Sequence, residues 1–152
     1  MIYIEAPNQP ILLANKRKSL FLAGTIQNST DWQAQVIEKI RILDIILFNP
    51  RRKVYPDNAA IQQITWEHQY LKAADAISFW FAKTSINPIT LFELGSWIKT
   101  PKPLIIGVEP GYPRELDVFT QVGLERRGLK IVQTLDDLAS GIYEVMNQLS
   151  TF

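Results

Sequence analysis

Glu93 is the carboxylate best placed for chemistry in this sequence. It lies in the segment 88–99, which is apolar around most of a helical circumference, and it is the only charge there before Lys99. Burying an ionised carboxylate without compensation is costly, so Glu93 is either a structural core residue or faces a crevice. Because it lies in the N-terminal half of the segment, the helix dipole is expected to help keep it ionised. An ionised carboxylate in a semi-enclosed crevice is what a nucleophile toward a sugar anomeric carbon requires.

A second carboxylate, Glu67, lies within an apolar stripe of a predicted helix over 59–74. The stripe is formed by residues at helical periodicity: Ile61, Ile64, Leu71 and Ala74. Glu67 therefore needs a partner, a shifted pKa or an opening to a site. The alternative is that Glu67 and its neighbour His68 reach solvent at the edge of the stripe.

Two loops carry residues suited to binding. Arg51, Arg52 and Lys53 follow a predicted strand, where a guanidinium group can hold a phosphate in a bidentate geometry; a solvated charge cluster is the alternative. Gly24 opens the loop 23–27, where the backbone turns closely. That loop lacks the other glycines of a dinucleotide or P-loop motif, so a ligand contact and a simple tight strand exit are both open.

The elements that position these residues follow from alternating patterns. Short, continuously apolar runs predict strands covered on both faces, as in a parallel sheet: 19–23, 45–48, 76–81, 104–107 and 130–132. The intervening segments predict helices: 31–43, 59–74, 88–99 and 135–149. Asp31, Asn87 and Thr134 are the predicted N-caps, with Pro88 at the first position of its helix.

This alternation predicts a flavodoxin-like three-layer α/β/α sandwich with a five-stranded parallel sheet in the order 2-1-3-4-5. Ligands of such sheets bind at the carboxyl ends of the strands, near the switch between strands one and three. The loops after those strands, and the predicted helix of Glu93, converge there.

Composition limits the function. The chain has 152 residues, 47% of them hydrophobic, and a net charge of +1, which predicts one domain over 1–152 and argues against a nucleic-acid polymer as partner. With no Cys and one His, we expect no metal site. No apolar run is long enough to span a membrane, and the patch Ile11–Ala14 is too short for a signal peptide, with its basic cluster 16–18 after it rather than before. We therefore expect a cytoplasmic protein, with residues 1–14 as an N-terminal extension of undetermined role.

Four segments together resemble the nucleoside 2-deoxyribosyltransferase-like family. They occur in the family's order from the first predicted strand to the third predicted helix: Phe21-Leu22-Ala23-Gly24-Thr25-Ile26, Asn49-Pro50-Arg51-Arg52, Trp66-Glu67 with 75–81, and Phe92-Glu93-Leu94-Gly95. The resemblance implies that Glu93 is the nucleophile and that Glu67, where the transferases carry Asp, binds the sugar or base region. A second Asp of the family, six residues before the nucleophile, is Asn87 here, which puts base transfer and ordinary deoxynucleoside specificity in question.

The activity implied is a retaining double displacement at the N-glycosidic bond of a nucleoside or nucleotide, without a cofactor. A nucleoside 5′-monophosphate N-glycosidase and a non-catalytic nucleotide-binding or sensing module remain the alternatives. The expected substrate-binding residues come from the strand-end loops: Gly24, Thr25, Ile26, Arg51, Arg52, Trp80, Asn87, Tyr112 and Arg114. Trp80 and Trp32 are the candidates for stacking on a base. The segment 107–117 is expected to be a lid or a plain surface loop; in related enzymes a neighbouring subunit completes the pocket from this region, which implies a homodimer or larger homo-oligomer.

Overall fold

The computed structural model describes residues 1–10 and 17–150, with side chains through residue 149. The patch Ile11–Ala14 and Lys16 lie outside the described residues.

Within this part of the chain, six parallel strands form one sheet in the order β1-β3-β2-β4-β5-β6. Their bounds are β1 (Ile2–Glu5), β2 (Ser19–Gly24), β3 (Ile46–Asn49), β4 (Ala76–Phe81), β5 (Leu104–Val108) and β6 (Ile131–Val132). The order of β2 to β6 confirms the predicted flavodoxin-like arrangement, because it is 2-1-3-4-5 when these strands are numbered from the first.

The predicted strand number of five is wrong by one. β1 adds to the sheet edge, pairing with β3 in a register that runs from Ile2 opposite Ile46 to Glu5 opposite Asn49. A four-residue edge strand with one fully buried side chain, Ile4, carries too little apolar pattern to be recognised.

The helices are α1 (Trp32–Ile40), α2 (Ala60–Ala73), α3 (Pro88–Trp97), α4 (Glu115–Glu125) and α5 (Leu135–Ser150). Four of them match the predicted helices. The sequence does not reveal α4, because apolar residues occupy both its buried and its exposed sides, with Val118 and Val122 buried and Leu116 and Leu124 exposed. The even distribution hides the 3.6-residue period.

The helices cover the sheet on both faces. α1 and α5 pack on one face around Trp32, Val36 and Ile142, while α2, α3 and α4 pack on the other around Trp66 and Leu94. Glu67 on α2 and Glu93 on α3 therefore lie on the same face of the sheet.

Two of the three predicted caps are confirmed. The carboxylate of Asp31 accepts from the amide of Ala34 at 2.9 Å, and the hydroxyl of Thr134 accepts from the amide of Asp137 at 3.1 Å. Asn87 precedes α3 but does not cap it with its side chain, which instead donates to the carbonyl oxygen of Ser85 at 3.0 Å. Its left-handed backbone, at φ 53°, turns the chain into the helix.

The predicted apolar stripe of α2 is half wrong. Ile61 and Ile64 are 81% and 63% exposed, while Leu71 and Ala74 are buried as expected. The buried side of the helix carries polar and aromatic groups as well, from Gln63, Trp66 and Tyr70.

Candidate active site

Two half-buried carboxyl groups lie on two helices of the same sheet face, α2 and α3. They are Glu67, in the middle of α2, and Glu93, in the sixth position of α3. The two groups interact electrostatically, since the charge on Glu67 raises the pKa of Glu93. The structure thus brings together the two residues that the sequence selects.

The carboxyl group of Glu93 makes no hydrogen bond and no ion pair with any residue that the structure describes. Burial, with a smaller contribution from Glu67, raises its pKa from an ordinary value of 4.5 to about 8. Loss of hydration therefore outweighs the help expected from the helix dipole, whose effect fades beyond the first turn. At neutral pH Glu93 mainly carries a proton.

Glu67 has a different environment. Its Oε1 accepts a 2.7 Å hydrogen bond from the Gln63 side-chain amide, and Arg52 lies near enough to act on its charge. Burial raises the pKa of Glu67, while Gln63 and Arg52 both oppose the rise. Among the described residues Glu93 has neither kind of support, so the anionic form is opposed less at Glu67 than at Glu93.

The two arginines after β3 have different roles. The Arg51 guanidinium is used within the protein: its Nε donates to Gln33 at 2.8 Å, and its Nη2 donates to Ser29 Oγ at 3.0 Å and to Thr30 O at 3.2 Å. It holds the loop between β2 and α1 in place, and its expected role in phosphate binding is not supported by this arrangement.

Arg52 is a cation close to Glu67. Its Nη2 donates to Gln62 at 3.0 Å, and its guanidinium lies 5.5 Å from the ring centre of Tyr55. Its Nε is buried without a partner in the described part of the chain. Arg52 thus retains donor capacity for an anionic group.

The loop after β2 is mainly structural. A Cβ on Gly24 would lie 2.4 Å from the carbonyl oxygen of Trp80 and 2.8 Å from the Trp32 ring, so Gly is required there by packing, whatever the ligand. Thr25 is buried, and its hydroxyl accepts from the amide of Ala82 at 3.0 Å, which argues against a substrate contact by its side chain. Ile26 is half-buried, so of the three residues predicted to bind substrate in this loop it is the one with side-chain surface left to offer.

Trp80 and Trp32 are not available for stacking on a base. They are 4% and 1% exposed and belong to the core under α1 and α5, on the opposite face of the sheet from Glu93. Successive side chains of a strand alternate between faces, and Trp80 points to the face opposite α3.

The segment after β5 is an anchor rather than a lid. Tyr112 is buried, its hydroxyl donates to the carbonyl oxygen of Ile86 at 2.5 Å, and burial raises its pKa to about 12. This bond connects the segment to the loop that leads into α3. Arg114 is exposed and pairs with Asp117 at 3.0 Å, and from residue 115 the chain is helical.

The sequence analysis misses two contributors to the site. Gln63 lies one helical turn before Glu67, a spacing that signals a side-chain contact, but Gln rarely draws attention as a site residue. Glu5, at the end of β1, accepts from the amide of Lys53 at 3.1 Å and so supports the loop of Arg52. His68 is exposed.

Within residues 1–10 and 17–149, no cluster of three or more His, Cys, Asp or Glu side chains is arranged to hold a metal ion. Over the same described range, no helix has the length and apolar character to cross a membrane.

Comparison with known proteins identifies the class. Residues 17–112 match the family described as nucleoside 2-deoxyribosyltransferase like, and the chain belongs to this family. The match begins before β2 and ends at Tyr112, so it includes both carboxylates and leaves β1 outside. Family members are usually enzymes that act on nucleosides.

One solved structure shows the same fold. The crystal structure of a conserved protein from Enterococcus faecalis V583 superposes with a TM-score of 0.57 and 17% sequence identity, covering 85% of this chain and 99% of that chain. A search of curated proteins gives no match.

Proposed function

We propose that the protein cleaves or transfers the N-glycosidic bond of a nucleoside or nucleotide by a retaining double displacement, with Glu93 as the nucleophile. One observation carries this proposal: a half-buried carboxyl group without a hydrogen-bond or ion-pair partner in the described chain faces a second carboxyl group. Native proteins seldom leave such a group unpaired, and pairs of this kind are frequent at active sites. Family membership supplies the class of substrate.

In the proposed reaction an ionised Glu93 oxygen bonds to C1′ as the bond from C1′ to the base nitrogen breaks. The bonding electrons leave with the base, whose nitrogen takes a proton from solvent. Water or a second base then attacks C1′ from the face that the first base left and loses a proton to solvent as the bond from C1′ to Glu93 breaks, which restores the original configuration. Ionised Glu67 binds a hydroxyl of the sugar.

The two carboxyl groups explain how the site favours the transition state. When Glu93 is ionised, two half-buried anions repel each other before substrate reacts. The oxocarbenium-like transition state carries positive charge between them, so their repulsion becomes attraction as the bond breaks.

A nucleoside 5′-monophosphate N-glycosidase is the second candidate, and Arg52 favours it. The buried, unpartnered Nε of Arg52 is suited to a phosphate oxygen, and Asn87 stands where the transferases carry Asp. Hydrolysis of a monophosphate needs no acceptor base, whereas transfer consumes one.

A homo-oligomer is part of the proposal. Ile61, Ile64, Ile89 and Phe92 are 63% to 81% exposed and lie on α2 and α3, the helices of the two carboxylates. An apolar surface of this kind typically marks a contact site, and a second copy placed there would lie against the two helices that carry the carboxyl groups. Light scattering of the wild type and of Phe92→Glu tests it: we expect an assembly that the substitution dissociates, and a monomeric wild type contradicts it.

The function is tested by incubating the protein with nucleosides and their monophosphates, with and without an acceptor base, and following free base by chromatography. Transfer requires the acceptor, hydrolysis does not, and binding alone releases no base. Glu93→Ala must abolish any activity found. A 2-fluorinated sugar substrate trapped on the peptide containing Glu93, detected by mass spectrometry, would identify the nucleophile directly.

A further inference from the structure

We propose that Gln63 is a positioning residue for Glu67: its side-chain amide fixes one oxygen of that carboxylate against the loop after β3 and leaves the other oxygen for substrate. This inference rests on the proposed function for the role of Glu67, but the contact itself is independent of it.

The orientation of the Gln63 amide is determined by its neighbours. Its Nε2 donates to the carbonyl oxygen of Pro50 at 2.8 Å and to Oε1 of Glu67 at 2.7 Å. Both partners are acceptors, so the NH₂ group must face them and the amide cannot be flipped without losing two hydrogen bonds. Gln63 is 6% exposed, which leaves its side chain little freedom to move.

The orientation of the Gln63 amide destabilises the fold, which argues against a purely structural role. With the NH₂ group committed, Oε1 of Gln63 is buried and has no partner among the described residues. A buried amide oxygen left unpaired destabilises a protein by about 1–3 kcal/mol. An apolar residue of the same length would avoid this penalty but would not hold Glu67.

The contact also defines which part of Glu67 is free. Its Oε1 is occupied by Gln63, whereas its Oε2 accepts no hydrogen bond from the described residues. Because Pro50 precedes Arg51 and Arg52, the same amide connects the Glu67 carboxylate, through its Oε1, to the loop of Arg52. The charged groups that face Glu67 are Arg52 from that loop and Glu93 from α3.

The first test needs no substrate. The Glu67 carboxyl carbon, labelled with ¹³C and assigned with Glu67→Gln, is titrated by NMR in wild type, Gln63→Met and Gln63→Asn. Methionine keeps the length but donates nothing, and asparagine keeps the amide but is one methylene too short to reach. We expect the Glu67 pKa to rise by about one unit in both variants, since a hydrogen bond to the charged form is lost.

Gln69→Met is the matched control, because Gln69 lies on the same helix and is exposed; it should leave the titration unchanged. If either Gln63 variant is folded and titrates Glu67 as the wild type does, the proposal is overturned. Having two variants keeps the test available if one of them fails to fold.

The second test uses turnover at pH 9, where Glu93 is ionised in wild type and variants alike. We expect kcat/KM of Gln63→Met to fall at least tenfold while Gln69→Met matches the wild type. Unchanged turnover in a wild type that is active overturns the positioning role and leaves the function standing. A wild type inactive on every nucleoside and monophosphate removes the proposed function, and the NMR titration still decides whether Gln63 holds Glu67.

Discussion

The negative charge of Glu67, on α2, raises the pKa of Glu93, on the separate helix α3. The effect adds to that of burial and places the pKa of Glu93 at about 8. Among the described residues, Arg52 and Gln63 assist Glu67 and none assists Glu93, so the two carboxyl groups have distinct protonation behaviour.

The pH dependence of activity follows from this pair. A nucleophilic Glu93 must be ionised, and the ionised fraction increases as the pH rises through its pKa. We therefore expect kcat/KM to increase with a midpoint near pH 8 and to level off about one pH unit higher, because this parameter reports the free enzyme. The measurement is a pH–rate profile from 6 to 10 with the active nucleoside or monophosphate.

Glu67→Gln provides the internal check on that profile. Removing the negative charge lowers the pKa of Glu93, so the midpoint of the residual activity should move to lower pH, although burial keeps it above 4.5. A profile that is flat from pH 6 to 9 in the wild type, or a midpoint that moves upward in the variant, contradicts the assignment.

Stability should depend on pH through the same residue. The folded pKa of Glu93 is raised above its ordinary value of 4.5, so between pH 4.5 and 8 the folded state holds a proton that the unfolded state has released. Its contribution to stability is complete below about pH 4.5 and is lost as the pH rises through about 8. At pH 9, Glu93→Gln should unfold with a free energy larger than the wild type by about 1–3 kcal/mol.

Urea denaturation at pH 5 and pH 9 measures this difference. Glu38→Gln is the control, since Glu38 is exposed and pairs with Arg41 at 3.3 Å; it should change the unfolding free energy by less than about 0.5 kcal/mol at both pH values. Equal stability of wild type and Glu93→Gln at pH 9 argues against a buried, unpaired carboxyl group.

Substitution of the two adjacent arginines should affect different properties. Arg51 should affect stability, and Arg52 should affect substrate binding. Arg51→Ala removes hydrogen bonds to Gln33, Ser29 and Thr30 and should lower the unfolding free energy by about 2–4 kcal/mol. Arg52→Ala should lower it by less than about 1 kcal/mol.

For a monophosphate substrate, Arg52→Ala should raise KM by about tenfold or more, because a charge-assisted hydrogen bond is lost. The KM for the matching unphosphorylated nucleoside should stay within a factor of three. If the KM rises equally for both substrates, Arg52 does not bind the phosphate.

The Tyr112 hydroxyl should stabilise the loop before α3. Tyr112→Phe keeps the ring contact with Phe81 but leaves the Ile86 carbonyl without its donor, which should destabilise the fold by about 1 kcal/mol. Amide hydrogen exchange of residues 83–90 should accelerate, whereas exchange in α5 should not. Uniform acceleration across the chain would indicate general destabilisation instead.

The sequence predicts the strands and most of the helices better than it predicts which side chains are buried. Continuous apolar runs identify β2 to β6 because strands covered on both faces need such runs, and Glu93 is conspicuous as one charge in an apolar helix. Ile61 and Ile64 mislead because periodicity shows which residues share a helix face, not which face meets the sheet.

Aromatic residues mislead for a related reason. Trp80 is next to the carboxyl end of β4 in sequence, but alternation directs its ring to the other face of the sheet. Arg51 and Arg52 are identical in type and adjacent in position, and only the three-dimensional neighbours, Gln33 for one and Glu67 for the other, distinguish their roles.

The packing of Gly24 against Trp32 and the Trp80 backbone limits how this protein can be redesigned. A mutagenesis library would lose every variant at position 24, because any added carbon collides with the main chain of β4. Diversity should be introduced two residues later, at Ile26, where a half-buried side chain can change size while the strand exit stays intact.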